Sequence, residues 1–391
     1  MHKSSVLIVG AGVPGLSLAI MLAENGFDIT VLEASTPKDM KPHPKDTRTT
    51  ALMNNSIDWL RQCGVWDKLS SSCHLMQHLR IIDDSSPNTI MRNFSSHEIG
   101  VPQFGWNCPL SEMRYQLYEL ATKTKGLKLI TGKKLDRIEW LPSHAVAHLD
   151  KGKSIDAHLI IGADGRHSVV RENAGIETKR HDYDQVAITA LLQHESDHNN
   201  TSIEIHRPGG PMTFVPYGPN KSSLVWVVNS KQSTEYTQLK KEDFDAVMQE
   251  KSLNELGQIS TTTEVKAFPL SRSRSIEFVK PRCALMAEAG HVTSPIGAQG
   301  LNISLRDARA LFVTLSEARM NGMDVGSLSV LKQYEAVRQR DVTPRTISID
   351  WLHRTVATDS PFVNMVRRTA FRFLSADSPL RKALMRAGLA A

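Results

Sequence analysis

Cysteine is scarce: Cys63, Cys73, Cys108 and Cys283 are the only four in 391 residues, and no two form a CxxC pair. That spacing excludes a small secreted scaffold stapled by disulfides, argues against a zinc site and favours a reducing compartment. Fifteen histidines include no HExxH, and no spacing of Ser, His and Asp marks a triad, so metallohydrolase and serine hydrolase readings find no support. An excess of one charge is also lacking. Forty-seven Lys and Arg against 41 Asp and Glu leave +6, and the charges are interspersed rather than run together, which excludes an acidic disordered tail protein and disfavours nucleic acid as partner. No internal repeat or low-complexity segment occurs, and the KPHPK stretch at 41–45 reads as a polar loop. Long apolar runs are equally rare. The one at residues 6–23 resembles an export signal or membrane helix until its Gly10, Gly12, Pro14 and Gly15 are counted, since these would break such a helix in its middle.

What is present is ordinary globular composition, 40% apolar and 23% charged, in a chain too long for one small domain. The glycines of the N-terminal run have the spacing of a strand turning sharply into a helix. Residues 6–9, Val-Leu-Ile-Val, read as a buried parallel strand and 16–25 as the following helix, with Pro14 in a first turn that needs no donor from it. Gly10-Ala11-Gly12-Val13-Pro14-Gly15 is a complete GxGxxG. The first glycine allows the tight turn, the second lets backbone approach a pyrophosphate, and the third permits close packing of helix on strand. A second strand at 29–32 ends in Glu33, eighteen residues after Gly15, where a carboxylate can accept from ribose hydroxyls. An adenine dinucleotide is implied, and NAD and FAD both satisfy the pattern.

Two distant motifs extend the reading. Residues 156–171 run DAHLIIGADGRHSVVR, a strand ending in Gly162-Ala163-Asp164-Gly165 before a Ser and an Arg at helix-start positions. Such a strand end places a carboxylate and a flexible turn at the edge of a sheet where ligands sit, although an ordinary turn capped by Asp164 or Ser168 has the same appearance. Residues 282–307 carry a strand leading to Glu288 and then a Pro-Ile-Gly-Ala-Gln-Gly loop opening a second helix at Leu301 and Asn302. That helix start can face a phosphate or the electronegative edge of a ring.

With these residues in view the chain resembles the flavin-dependent aromatic monooxygenases of the p-hydroxybenzoate hydroxylase fold, and within them the ubiquinone-biosynthesis hydroxylases. GAGVPG with Glu33, Asp46-Thr47-Arg48 followed by Ala51-Leu52, GADGRHSVVR and AEAGHVTSPIGAQGLN occur in the family's order across essentially the whole chain. The resemblance implies FAD as cofactor and NAD(P)H as co-substrate. Gly10, Gly12, Val13, Pro14 and Gly15 would cradle the pyrophosphate, Glu33 the adenosine ribose, and Arg48 would lie near the flavin. Asp164 and Gly165 belong to a motif associated with FAD and NAD(P)H, Glu288 stands where an aspartate usually meets the ribityl chain, and Pro295, Gly300, Leu301 and Asn302 belong to the loop beside the ring. The usual GDAAH is here Ala287-Glu288-Ala289-Gly290-His291, and Leu110 stands near where many relatives carry a polar flavin contact. Ala287 would hinder the turn if that position needs a positive φ.

The implied fold class is α/β: a Rossmann-like FAD-binding domain interrupted by an antiparallel β-sheet substrate domain, with a C-terminal helical tail. The expected division is FAD domain at 1–178 and 268–350, substrate sheet at 179–267 and a basic helical segment at 351–391. Within the insert, 186–192, 202–206, 212–216 and 224–229 read as alternating strands between Gly, Pro and Asn turns, with Trp226 in the core. From 352 onward seven Arg and Lys against two Asp leave +5, interleaved with apolar residues as on amphipathic helices. A solvated face packed on its own protein and attachment to an anionic membrane or a biosynthetic complex both fit.

The function expected is hydroxylation of the aromatic ring of a polyprenylated phenol in ubiquinone biosynthesis, with no metal and with the difficult chemistry left to the cofactor. No side chain is assigned a catalytic role; His291 as a proton shuttle is weaker than His291 orienting backbone. The alternatives are a hydroxylase of another aromatic substrate, an NAD-dependent dehydrogenase, and a non-catalytic assembly subunit. The absence of a Trp-x-Trp motif disfavours a halogenase. A cytoplasmic location is expected, with peripheral attachment to the inner face of the membrane as its variant.

Overall fold

The computed structural model describes residues 5–43, 46–356 and 378–389, together with Met365 and Arg368. The N-terminal strand Ser5–Val9 lies at the centre of a six-stranded sheet, parallel to Asp28–Glu33 on one side and Leu159–Gly162 on the other. Beyond them lie Leu127–Thr131 at one edge, and Cys283–Leu285 and Val279–Lys280 at the other. From Val6 to Val9 the strand is apolar and buried because both its faces are covered. Successive side chains point oppositely: Val6 and Ile8 pack toward the helices Val13–Glu24 and Gln299–Met320, while Leu7 and Val9 meet a three-stranded meander at Leu135–Trp140, Ala145–Leu149 and Ser154–Ala157.

The second sheet is larger than the expected insert. Its strands run in the order His291–Val292, Lys266–Ser275, Thr178–His194, Lys221–Asn229, Met212–Gly218, Thr201–His206, His78–Asp83 and Ile90–Ser95, with Ile259–Thr261 beside the long strand. Residues well outside 179–267 therefore extend it at both ends, joined on one side by a parallel pairing of Thr201–His206 with His78–Asp83. One face, including Ile188, Phe214 and Trp226, is buried with Phe244 and Met248 of the helix Lys241–Lys251. Trp226 is 4% exposed and stacks on Tyr236 at 4.4 Å between ring centroids, so it is a core residue as its apolar run implies. The other face, with Ala187, Val225 and Leu270, looks back toward the first sheet.

A small sheet of Thr49–Met53, Gly105–Pro109 and His74–Met76 closes the space between the two large ones. Its register sets His74 opposite Asn107, so the next residues out, Cys73 and Cys108, face each other and form a disulfide. Spacing in the sequence shows nothing of this pair, and the cysteine count therefore no longer argues for a reducing compartment. Cys63 and Cys283 remain buried thiols whose ionisation burial pushes far upward.

The C-terminal segment is helical over Pro379–Leu389, where Arg381 turns inward while Arg386 stays exposed. Arg381 is 4% exposed and holds Glu98 through Nε at 2.7 Å, and Arg368 reaches Asp83 at 3.1 Å. Most of the amphipathic pattern expected from 352 onward lies outside the described residues. Among the described residues no helix is long and apolar enough to cross a membrane.

Candidate functional site

The GxGxxG turn behaves as its glycines require. Gly10 has φ of 108°, and a Cβ there would lie 2.3 Å from the carbonyl oxygen of Ala163, so the turn and the strand end at 163–165 touch through backbone. Gly15 packs as tightly: its Cβ would come 2.4 Å from the carbonyl oxygen of Gly10. Gly12 differs. It precedes the helix Val13–Glu24 with φ of −76°, and a Cβ would meet only Pro14 Cδ at 3.8 Å. The first and third glycines thus hold the fold together, whereas the second leaves open space in front of a helix N-terminus.

That space is the start of one cavity of about 980 Å³. It passes Glu33, Arg48 and Asp164, runs beside Glu288 and the loop at 293–301, and ends under Ala187, Val215, Val225 and Leu270 of the second sheet. Of the residues expected to hold a cofactor, Gly10, Gly12, Val13, Pro14, Glu33, Arg48, Asp164, Gly165, Glu288, Pro295, Gly300 and Leu301 all line it. Strands far apart in the sequence end at the same edge, which is why the motifs converge.

Gly15 and Asn302 do not line it. Asn302 is fully buried, with Oδ1 accepting from Met53 N–H at 2.9 Å and Ser56 Oγ at 2.7 Å, and Nδ2 donating to the carbonyls of Ala51 and Ala298 at 2.8 Å. Its four bonds tie the small sheet to the start of the helix Gln299–Met320, and its side chain has no capacity left for a ligand.

The acidic residues are engaged to different degrees. Glu33 Oε2 accepts from Ala11 N–H at 2.7 Å and Oε1 from Ser35 N–H at 2.8 Å, which fixes the carboxylate while leaving lone pairs toward the cavity. Asp164 accepts from Ser168 Oγ at 2.5 Å and Val170 N–H at 3.2 Å, so the capped-turn reading and the site reading describe the same residue. Burial pushes its carboxyl above the usual range, against those hydrogen bonds. Glu288 is half exposed and lies 3.5 Å from Arg166 Nη2. Arg48 is held bidentately by Asp46, Nε to Oδ1 at 2.8 Å and Nη2 to Oδ2 at 2.9 Å, and presents its guanidinium at the cavity wall.

Ala287 has φ of 54°, so the position does require the left-handed region that glycine favours, and this chain accommodates an alanine there. Its N–H donates to Asp307 Oδ2 at 2.8 Å, one of three contacts on that carboxylate. His291 Nε2 lies 2.6 Å from Oδ2 and Arg338 Nε donates to Oδ1 at 2.6 Å. Burial would raise the Asp307 carboxyl, but the charges of His291 and Arg338 outweigh it and hold it below the usual range. His291 thus orients backbone beside the site, through a buried acid that spacing could not single out. Arg114 was equally invisible: its helix Leu110–Ala121 brings Nε to the carbonyl of Ala11 at 3.1 Å and Nη2 to within 3.5 Å of Glu33. Leu110 lines the cavity, as its place in the sequence suggests.

The charge network continues to Asp341, which accepts from Arg345 Nε at 2.6 Å and Arg338 Nη1 at 2.8 Å. Burial acts upward on Asp341, yet the Arg345 hydrogen bond and the charges of Arg338 and Arg306 bring it down to about 2. A carboxyl depressed on folding stabilises above its unfolded pKa of about 3.9 and loses that contribution as pH falls toward the folded value. The stability gap between the parent and Asp341→Asn is therefore expected to be full at pH 6 and visibly smaller at pH 3. Urea midpoints at both pH values measure it; an unchanged gap would remove the ionic explanation.

Four buried polar atoms in cavity-lining residues have no hydrogen-bond partner among the described residues: Thr47 Oγ1, Thr189 Oγ1, Thr293 Oγ1 and His291 Nδ1. Orphaned groups of this kind match a ligand that is polar along its length. Among the described residues no group of His, Cys, Asp and Glu could hold a metal ion.

Comparison with known proteins agrees with this geometry. A family model described as FAD binding domain matches residues 3–345. The chain is 29% identical to ubiquinone hydroxylase UbiL of Rhodospirillum rubrum over 98% of this chain and 89% of that protein. It is 28% identical to 3-demethoxyubiquinol 3-hydroxylase of Escherichia coli, over 94% of this chain and 93% of the relative. Among solved structures, p-nitrophenol 4-monooxygenase PnpA from Pseudomonas putida superposes with a TM-score of 0.79 at 16% identity, covering 99% of this chain and 96% of that one. PqsL of Pseudomonas aeruginosa, described as a probable FAD-dependent monooxygenase, gives 0.78 at 19% identity over 96% of this chain and all of that chain. These likenesses are of fold.

Proposed function

This chain belongs to the FAD binding domain family, and from that premise we propose that it hydroxylates the aromatic ring of a polyprenylated phenol in ubiquinone biosynthesis, using FAD, NAD(P)H and O2. The observation that carries the reading is the single cavity joining a dinucleotide turn to the inner face of an antiparallel sheet. When bound, FAD takes reducing equivalents from NAD(P)H and activates O2, so that one oxygen atom enters the ring and the other leaves as water.

The chain's own residues bind, orient and exclude water. Gly12 and the start of the helix Val13–Glu24 offer backbone N–H groups and a positive dipole end to the pyrophosphate. Glu33, already fixed by two backbone donors, would accept from the adenosine ribose, and Glu288 from the ribityl chain. Pro295, Gly300 and Leu301 would bracket the ring, with Arg48 as the nearby cation and the orphaned threonine hydroxyls as further donors. Ala187, Val215, Val225 and Leu270 offer an apolar ceiling for an aromatic substrate, where water is excluded. The division of labour follows the two sheets: most of residues 1–178 and 268–350 as the cofactor part and 179–267 as the main substrate cover, to which the strands His78–Asp83, Ile90–Ser95 and Lys266–Ser275 add. The substrate's tail belongs in a bilayer, so a cytoplasmic protein attached peripherally to the inner face of the membrane fits the chemistry.

The test is single turnover of FAD-loaded protein with a polyprenylated phenol in detergent, under 18O2, with NADH and NADPH in parallel. One heavy oxygen atom in the product is expected. Consumption of reductant with no label in the phenol would overturn the reading.

A further inference from the structure

A second cavity, of about 410 Å³, shares Val292, Thr293 and Ser294 with the first as a common wall. Its floor is the antiparallel pairing of Thr178–His194 with Lys266–Ser275, and its side is the helix Leu328–Val356 near residues 346–350. The register sets Lys179 opposite Arg274 and His181 opposite Arg272. Cations directly across a strand pair repel, so an arrangement of this kind needs counter-charge. Arg272 has Asp350 at 3.0 Å, and Arg180 has Asp182 at 2.8 Å. Lys179 and Arg274 have no ion pair among the described residues, and Arg274 Nε is buried without a hydrogen-bond partner.

The rim is apolar where a soluble surface is usually polar. Ile276 is 46% exposed, Ile347 is 50% exposed, and Trp351, one helical turn further on, is 68% exposed. Unpaired cations flanked by exposed isoleucines and an indole match the layered chemistry of an anionic bilayer surface, with phosphates outside, acyl chains beneath and an indole at the boundary. A soluble phosphate compound would use the cations and leave the apolar rim bare.

We propose that this basic cavity and its apolar rim form a docking surface for anionic phospholipid, with headgroup phosphates at Lys179 and Arg274 and with Ile276, Ile347 and Trp351 entering the interface. It deepens the reading of a bilayer-borne substrate and rests on it only for its purpose: the docking surface backs onto the wall of the reaction cavity. Arg368 and Arg381 are turned inward, which removes these two C-terminal cations from the same role.

The experiment is sedimentation of the FAD-loaded protein with phosphatidylglycerol vesicles and with phosphatidylcholine vesicles, with inorganic phosphate as competitor. Binding to the anionic vesicles alone is expected, unaffected by phosphate at the vesicles' own phosphate concentration. Lys179→Glu with Arg274→Glu should weaken it about tenfold or more, and Ile347→Ser with Trp351→Ser should weaken it at unchanged charge. Retained flavin and an unchanged melting temperature certify that the variants fold. Equal binding by parent and variants, equal binding to neutral vesicles, displacement by free phosphate, or loss only with Arg367→Glu and Arg372→Glu would each overturn the proposal. Lipid binding is read without turnover, so its failure leaves the hydroxylase reading standing.

Discussion

A Gly12→Asp variant is expected to fold normally and to purify without flavin colour. The backbone at Gly12 is ordinary, φ −76° and ψ 172°, and no atom would crowd a Cβ. Aspartate is a favoured residue in front of a helix, so the apoprotein should be as stable as the parent or slightly more so. Its carboxylate, however, enters the space where a pyrophosphate would sit. Two like charges about 4 Å apart at an effective dielectric near 20 repel by about 4 kcal/mol, roughly a thousandfold in affinity. Visible absorbance after reconstitution reads the loss, and circular dichroism certifies the fold. Flavin retained at the parental stoichiometry would move the pyrophosphate elsewhere. The contrast is Gly10→Ala, where the added Cβ meets the Ala163 carbonyl at 2.3 Å and folding itself should suffer. Neighbouring glycines of one motif thus fail in different ways.

Removing Asp307 should have the largest effect on stability. The residue is 1% exposed and neutralises Arg338 while holding Ala287 N–H and His291. Asp307→Ala removes the fully buried partner of Arg338, leaving the guanidinium only the more exposed Asp341, and strips Ala287 N–H of its acceptor. Breaking a buried pair of this kind costs up to about 3–5 kcal/mol. That is a large share of the roughly 5–15 kcal/mol available to a folded protein. A fall in melting temperature of about 5 °C is expected for a chain of this length. The double variant Asp307→Ala with Arg338→Met should recover part of the loss, because no uncompensated charge remains inside. If single and double variants melt together, the loss is one of packing rather than of charge.

The legible part of the site was its backbone chemistry. Gly10, Gly12, Gly15 and Glu33 follow one another at spacings that a strand, a turn and a helix impose, so local geometry writes itself into the sequence. Ala287 was expected to hinder the turn if its position needed a positive φ; the position does have one, and the chain accommodates the alanine. Arg114 and Asp307 were not legible, because each acts on residues in other elements and neither sits at a characteristic spacing from its partners. Asn302 shows the opposite failure. It belongs to the loop motif, yet its side chain is wholly occupied in joining Ala51, Met53, Ser56 and Ala298.

By itself, then, the sequence determined the class of fold, the GxGxxG turn, the order of motifs and twelve of the residues that line the main cavity, since these depend on short-range conformational rules. The second sheet's extent, the pairing of Cys73 with Cys108, the opposition of Lys179 and Arg274 and the inward turn of Arg381 were decided only in three dimensions. Strand register and long-range packing set those contacts, and a shift of one residue in register would reassign every one of the cross-strand pairs.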